Sequence, residues 1–301
     1  MKRFFAMLLA VCMTFCACAF AEEDGTDLSY VDVKERGALR VGMDKAYAPF
    51  CFVDETNEYT GFDVDFAYAI CDALGVELEV VPIEWKNARS ALEDGSVDML
   101  LCGFAQADNE DMLRVSFPYI ESGTALVVKG DSAVSAMADM AGKTLGLREG
   151  SCEADVLNEN KEFYQALNAA YSFPTAYELL NAVETGSVDG ALVDRLVAEY
   201  RIAQGANLKF VGEPEAVWEL TAAFAPQSEA LWSAVNDAMV TLAFNGVLSD
   251  IASDWFGSDI TVLAGYLVAL EETEEGEYAH NETGRPQKHA AFFFYGVSLQ
   301  G

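Results

Sequence analysis

GFDVDFAYAICDALGVELEVVPIEWKNARSALEDGSVDMLLCG, residues 61–103, is the stretch whose reading decides the fold. Asp63 can cap a helix, because a carboxylate there accepts from the free N–H groups of the first turn. Phe62, Phe66, Ile70 and Leu74 recur every four residues, with Ala67 and Ala73 beside them, and form one apolar helix face. Gly75 stands where a left-handed terminating residue is wanted. Residues 76–83 alternate and then run apolar, as a strand closed by Pro82. Residues 87–94 read as a second short helix, stopped by Gly95. Residues 97–101 are the continuous apolar run expected of a buried parallel strand. Helix, strand, helix and strand in this order predict an α/β fold with a parallel sheet and crossover helices. Ligands of such sheets sit beyond the carboxyl ends of the strands. Here that end is Cys102, Gly103, Phe104 and Ala105.

The 301 residues are enough for one large or two small domains, and 52% hydrophobic residues can supply a core. The formal net charge is -31, with 18 Lys and Arg. Such a chain does not neutralise phosphates, which excludes nucleic acid as a partner. Residues 1–21 form an export signal: Lys2 and Arg3 begin it, residues 4–20 are apolar, and Ala19-Phe20-Ala21 is a cleavage site. A membrane anchor is the alternative, but the span is slightly short and an acidic chain follows directly. Cys16 or Cys18 could instead carry a lipid, although their surroundings make a weak lipidation motif. Cleavage leaves Cys51, Cys71, Cys102 and Cys152, for which three disulfide pairings or buried free thiols are all open. No metal spacing, phosphate loop or cofactor motif is present, and no cofactor is expected. Both histidines, His280 and His289, lie near the C-terminus.

Moving outward, residues 28–36 read as a short helix and residues 39–43 as the first strand. Asp44, Tyr47 and Phe50 lie in the loop at its carboxyl end. Residues 121–129 and 142–147 are strands, 153–168 a helix, and 175–185 a helix leading into the strand 190–194. LEDGSVDMLL at 92–101 returns as VETGSVDGAL at 183–192. This echo of helix, turn and strand predicts two similar lobes, each with its own sheet. Residues 208–211 and 218–224 read as separate strands, and 228–245 and 248–256 as the closing helices. Five glutamates among residues 271–277 mark a solvated or disordered segment.

The quoted stretch, the Trp85 segment and LEDGSVDMLLCG together resemble the family 3 extracellular solute-binding proteins, and the resemblance runs from about residue 39 to residue 257. It implies a two-lobed, type II periplasmic-binding-protein-like fold with the ligand cleft between the lobes. Residues 38–124 with 222–257 would form lobe 1, residues 125–221 lobe 2, and residues 258–301 an acidic tail. It also implies an exported substrate-binding subunit of an ABC importer for a small polar solute, an amino acid or related amine. Such a subunit is a monomer that meets a membrane permease.

The resemblance further implies roles for individual residues. Tyr47, Phe50 and Trp85 would pack on the ligand, Asp194 would accept its α-ammonium, and Asp44 lies in the same signature loop. Loop packing, a core tryptophan and a helix cap are the bland readings of these positions. Cys102, Gly103, Ala105, Ser151 and Cys152 occupy places that usually offer backbone groups and hydroxyls. Glu110 is the main departure: the family has an arginine there that clamps the ligand carboxylate. Three alternatives follow: Arg114 replaces it after a local shift, Arg148 or Arg89 supplies the positive charge, or the ligand is cationic. Binding without catalysis is the leading reading. A cleft enzyme of the cyclohexadienyl dehydratase type, using Glu110 or Asp194, and a free-standing sensor are the alternatives.

Overall fold

The structure is a computed structural model, and it describes residues 26–105 and 113–274. The export signal, Glu110 and residues 275–301 lie outside the described residues.

The element order begins with the helix Ser29–Arg36 and continues through β1 (Ala38–Met43), β2 (Ala46–Tyr47), β3 (Cys51–Val53) and β4 (Tyr59–Thr60). The helix Phe62–Leu74, β5 (Glu77–Pro82), the helix Ala88–Glu93, β6 (Met99–Ala105), β7 (Arg114–Val115) and β8 (Ile120–Lys129) follow. The second half adds β9 (Thr144–Arg148), the helices Glu153–Glu159 and Lys161–Ala166, β10 (Ala169–Phe173), the helix Ala176–Thr185, β11 (Gly190–Asp194) and the helix Arg195–Ala203. It closes with β12 (Leu208–Phe224) and three helices, Glu229–Phe244, Val247–Phe256 and Leu263–Glu274.

The opening helix forms because Phe62, Phe66, Ile70 and Leu74 share one face, and all four are buried. Gly75 ends it in the left-handed region, at φ 66°. Its start differs from expectation. Gly61, not Asp63, is the cap, at φ 135°, and a Cβ there would lie 2.2 Å from the Phe50 carbonyl oxygen. Asp63 is buried inside the first turn, where its Oδ1 accepts the Tyr119 hydroxyl at 3.0 Å. Phe50, Phe62, Phe66, Tyr119 and Phe256 pack ring against ring around that contact.

β1 pairs in parallel with β5 and β6, and β9 in parallel with β10 and β11. The two sets are not separate sheets. β8 and β12 pair antiparallel along most of their lengths and join both sets into one sheet, ordered β10-β9-β11-β8-β12-β6-β1-β5. The predicted strands 208–211 and 218–224 are therefore the two ends of β12. The register shifts between Val211 and Ala216, at the changeover from one set to the other. Two lobes with a shared spine result.

Two other expectations change. The predicted helix 153–168 breaks at Asn160, whose side chain accepts from the Phe163 N–H at 3.1 Å and starts a new helix. The chain then enters β10, a partly exposed edge strand with weak apolar alternation. Part of the predicted tail is ordered helix. Leu263 and Leu267, one turn apart on Leu263–Glu274, are buried, and Val262 N–H donates to the Tyr119 carbonyl at 3.1 Å. At the other end of the chain Asp27 and Ser29 accept from the Ala230 and Leu231 N–H groups, and so cap Glu229–Phe244.

The C-terminal helix thus belongs to the core. Leu263→Ala should lower unfolding free energy by about 2–5 kcal/mol, read from urea denaturation. An unchanged midpoint would show that the helix does not dock.

Candidate ligand-binding site

Strand ends from the two halves meet at one place. β1 ends at Met43, and Asp44 follows it into a tight turn: its Oδ1 accepts the Ala46 N–H at 3.0 Å. Tyr47 comes next on β2, buried and stacked on Phe50 at 5.5 Å. Trp85 opens the short turn after β5 and is also buried.

From the other half, Arg148 is the last residue of β9 and is 3% exposed. Its Nη1 lies 3.3 Å from Asp44 Oδ2. Its guanidinium carbon sits 4.1 Å above the Tyr47 ring centre and 5.3 Å from that of Trp85. Burial of a guanidinium is tolerated only with such partners, a carboxylate and aromatic faces. The two rings that the family resemblance assigns to a ligand hold the protein's own cation.

The two walls touch at the rim as well. Lys86 Nζ and Glu149 Oε2 are 3.4 Å apart. A Cβ on Gly150, at φ 71°, would come within 3.2 Å of Lys86 Cα, so that approach needs glycine. Phe52 meets Tyr200 with ring centres 6.1 Å apart.

Asp194 ends β11 and is 1% exposed. Its Oδ1 accepts from the Leu196 and Val197 N–H groups and from the Ser122 hydroxyl, at 2.8, 3.2 and 2.9 Å. It is thus a helix cap, as the bland reading holds. Its Oδ2 takes no hydrogen bond among the described residues and remains available to a further donor. Burial, reinforced by the neighbouring Glu153 charge, pushes its pKa from 3.8 up to about 7, against the pull of its hydrogen bonds. Burial likewise raises Tyr47 well above its ordinary value and pushes up the Cys152 thiol.

Ser151 is buried, and its hydroxyl donates to the Arg148 carbonyl at 2.9 Å. Cys152 follows at the start of Glu153–Glu159. Cys51, Cys71 and Cys152 are free thiols, so no two of them pair. The sequence reading ends the strand at residue 101 and puts Cys102, Gly103 and Ala105 beyond it, but they are part of the strand. β6 continues through them, and Ala105 stands opposite Leu220 of β12.

Other expected residues lie elsewhere. Phe50 is wholly buried, stacked on Tyr47 and packed against Phe62 and Phe256. Arg114 is directed to Glu229, at 3.5 Å, and lies over the Trp232 ring at 5.1 Å. It does not join Arg148. Arg89 is half-buried on Ala88–Glu93. Two neighbours of Asp194 escape a sequence reading, Ser122 and Glu153. A serine in a strand and a glutamate in a first helical turn carry no local signal of a site. Among the described residues no group of three His, Cys, Asp or Glu side chains is placed to hold a metal ion.

The fold and the charged strand ends define a two-lobed, periplasmic-binding-protein-like protein whose lobes meet around Arg148. The chain belongs to the bacterial extracellular solute-binding proteins, family 3, whose family model matches residues 39–258. It is 32% identical over 233 residues to the L-cystine-binding protein TcyJ of Escherichia coli K12, covering 76% of this chain and 86% of that one. A substrate-binding protein of an ABC uptake transporter from Streptococcus pneumoniae, solved with bound histidine, superposes with a TM-score of 0.74 at 26% identity. That match covers 78% of this chain and 98% of the other. The ancestral amino acid-binding protein AncCDT-1, a precursor of cyclohexadienyl dehydratase, gives a TM-score of 0.69 at 27% identity, covering 76% and 99%.

Folded Asp194 holds its proton up to about pH 7, whereas its ordinary value is 3.8. Folding therefore takes up a proton between these values. The stability this contributes is present at low pH and is lost as pH rises from the lower value through the higher. Each pH unit between the two corresponds to about 1.4 kcal/mol. Asp194→Asn can keep the cap but cannot ionise, so the difference in unfolding free energy between variant and wild type should grow in the variant's favour across this window. Urea denaturation at a series of pH values reads it, and a difference independent of pH would contradict the assignment.

Proposed function

We propose that this chain is the extracytoplasmic substrate-binding subunit of an ABC importer and captures an amino acid or related amine by closing two lobes. The observation that carries this reading is Asp194, a buried carboxylate at the end of β11, in the same lobe as Arg148, whose guanidinium lies over Tyr47 and Trp85 of the other lobe; one Asp194 oxygen takes no hydrogen bond among the described residues. A charged solute enclosed between lobes needs buried partners of opposite sign. Asp194 receives its ammonium group. Arg148 is the nearest described cation for a carboxylate, while Tyr47 and Trp85 form the aromatic wall. Ser151, Cys152 and the backbone from Cys102 to Ala105 complete the contacts. Arg114 and Phe50 are left out of this role.

Lobe 1 comprises residues 38–124 and 222–257, with Leu263–Glu274 packed onto it, and lobe 2 residues 125–221. Residues 1–21 direct export and are removed, or Cys16 or Cys18 carries a lipid. The receptor is monomeric and hands its solute to a membrane permease. We assign no catalytic residue. The dehydratase reading draws on one relative, which is itself described as an amino acid-binding protein.

A thermal-shift screen of the mature chain against amino acids, diamines and prephenate-type acids tests the proposal. A ligand at 100 times its Kd adds about 2.7 kcal/mol, or roughly 5–10 °C in Tm for a domain of this size. Asp194→Asn and Arg148→Ala should lose most of the shift, and Arg114→Ala should keep it. No shift with any amino acid or amine, or turnover of a prephenate-type acid, would overturn the reading.

A further inference from the structure

Glu153 is the least explained charge in the molecule. It is the first residue of the helix Glu153–Glu159, which packs on β9 and β11, and only 2% of it is exposed. Its Oε2 is fully enclosed and has no hydrogen-bond partner among the described residues. A carboxylate in that state is costly, because it has lost water and gained nothing in return. The helix that Glu153 begins follows the end of β9 that carries Arg148, and β11, which pairs in parallel beside β9, ends at Asp194, so Glu153 and Asp194 lie at the same end of the sheet. The Glu153 charge also acts on Cys152 and on Tyr47 of the other lobe.

The charge balance around Arg148 and Asp194 is uneven. Among the described residues, the buried charged groups there are Asp44, Arg148, Glu153 and Asp194. Arg148 is matched by Asp44, at 3.3 Å. Glu153 and Asp194 are left as two neighbouring carboxylates, each with an oxygen that takes no hydrogen bond from a described residue. A zwitterionic solute brings no net charge and leaves this excess in place. A solute of net positive charge reduces it.

We propose that Glu153 is a ligand-binding residue: together with Asp194 it forms a carboxylate pair that holds a cationic nitrogen of the solute, and the pair selects net-positive solutes, dibasic amino acids above neutral ones. The proposal rests on the amino acid-receptor reading of the same site and adds to it a residue and a selectivity. Arginine and citrulline discriminate well, because they are nearly the same shape and differ by one charge.

The experiment is isothermal titration calorimetry of the mature chain with L-arginine, L-citrulline and putrescine, on wild type, Glu153→Gln and Glu153→Ala. Wild type should bind arginine at least about 10-fold more tightly than citrulline. Glu153→Gln should weaken arginine by a similar factor and bring the two ligands close together. The unliganded Tm of Glu153→Gln should equal or exceed that of wild type, because an unpartnered buried charge has gone. If that variant folds poorly, Glu153→Ala gives the same comparison. Unchanged arginine binding in both variants, or equal binding of arginine and citrulline by wild type, would overturn the carboxylate pair and leave the amino acid receptor intact. Binding of putrescine alone, lost in Glu153→Gln, would keep the pair and overturn the amino acid reading. No binding of any of the three would overturn both.

Discussion

A guanidinium buried between two lobes needs partners from the lobe it faces, and Arg148 sets that requirement for this fold. It stands at the end of β9, yet Asp44, Tyr47 and Trp85 all come from the half built on β1 and β5. The halves cannot part without exposing the cation or moving it with one of them. Each neighbouring feature follows from that contact. Tyr47 needs a firm backing, and Phe50 and the aromatic cluster behind it supply one. Gly150 has no side chain where the Lys86 backbone comes close.

The shared sheet makes the joint between the lobes a pair of long strands instead of flexible linkers. β8 and β12 hold their pairing on both sides of the irregularity between Val211 and Ala216. Bending concentrated there leaves the parallel strands of each half intact, as hinge closure requires. Asp194 pairs with Thr124 on β8 and takes a hydrogen bond from Ser122 two residues earlier, so it is anchored to one of these spine strands. The position of its carboxylate is thereby fixed by the spine.

Much of the architecture is legible in the sequence because it depends on local pattern. The Phe62 to Leu74 face, the glycine stops and the GSVD echo each encode one element within a few residues. The continuity of β8 and β12 is not, because it depends on pairing between residues about ninety positions apart, such as Val211 with Leu126. Family resemblance assigns Asp44, Tyr47, Trp85, Arg148 and Asp194 to one site; the first four are in contact, and Asp194 ends the strand beside the one that carries Arg148. The burial of Phe50 and the Glu229 partner of Arg114 are not legible, because both depend on residues remote in sequence. Asp63 reads as a cap, yet the cap geometry falls to Gly61, where a missing Cβ is required. Glu153 escapes notice because first-turn glutamates are ordinary, and only enclosure of its carboxylate sets it apart.

Both described ends of the chain pack on the same helix. Asp27 and Ser29 cap Glu229–Phe244, and Leu263–Glu274 lies against it. The half built on β9, β10 and β11 is therefore an insert, entered through β8 and left through β12. A tether attached at either end pulls on one lobe only. The load path of such a tether bypasses the inserted half, which is held to the frame only through those two spine strands.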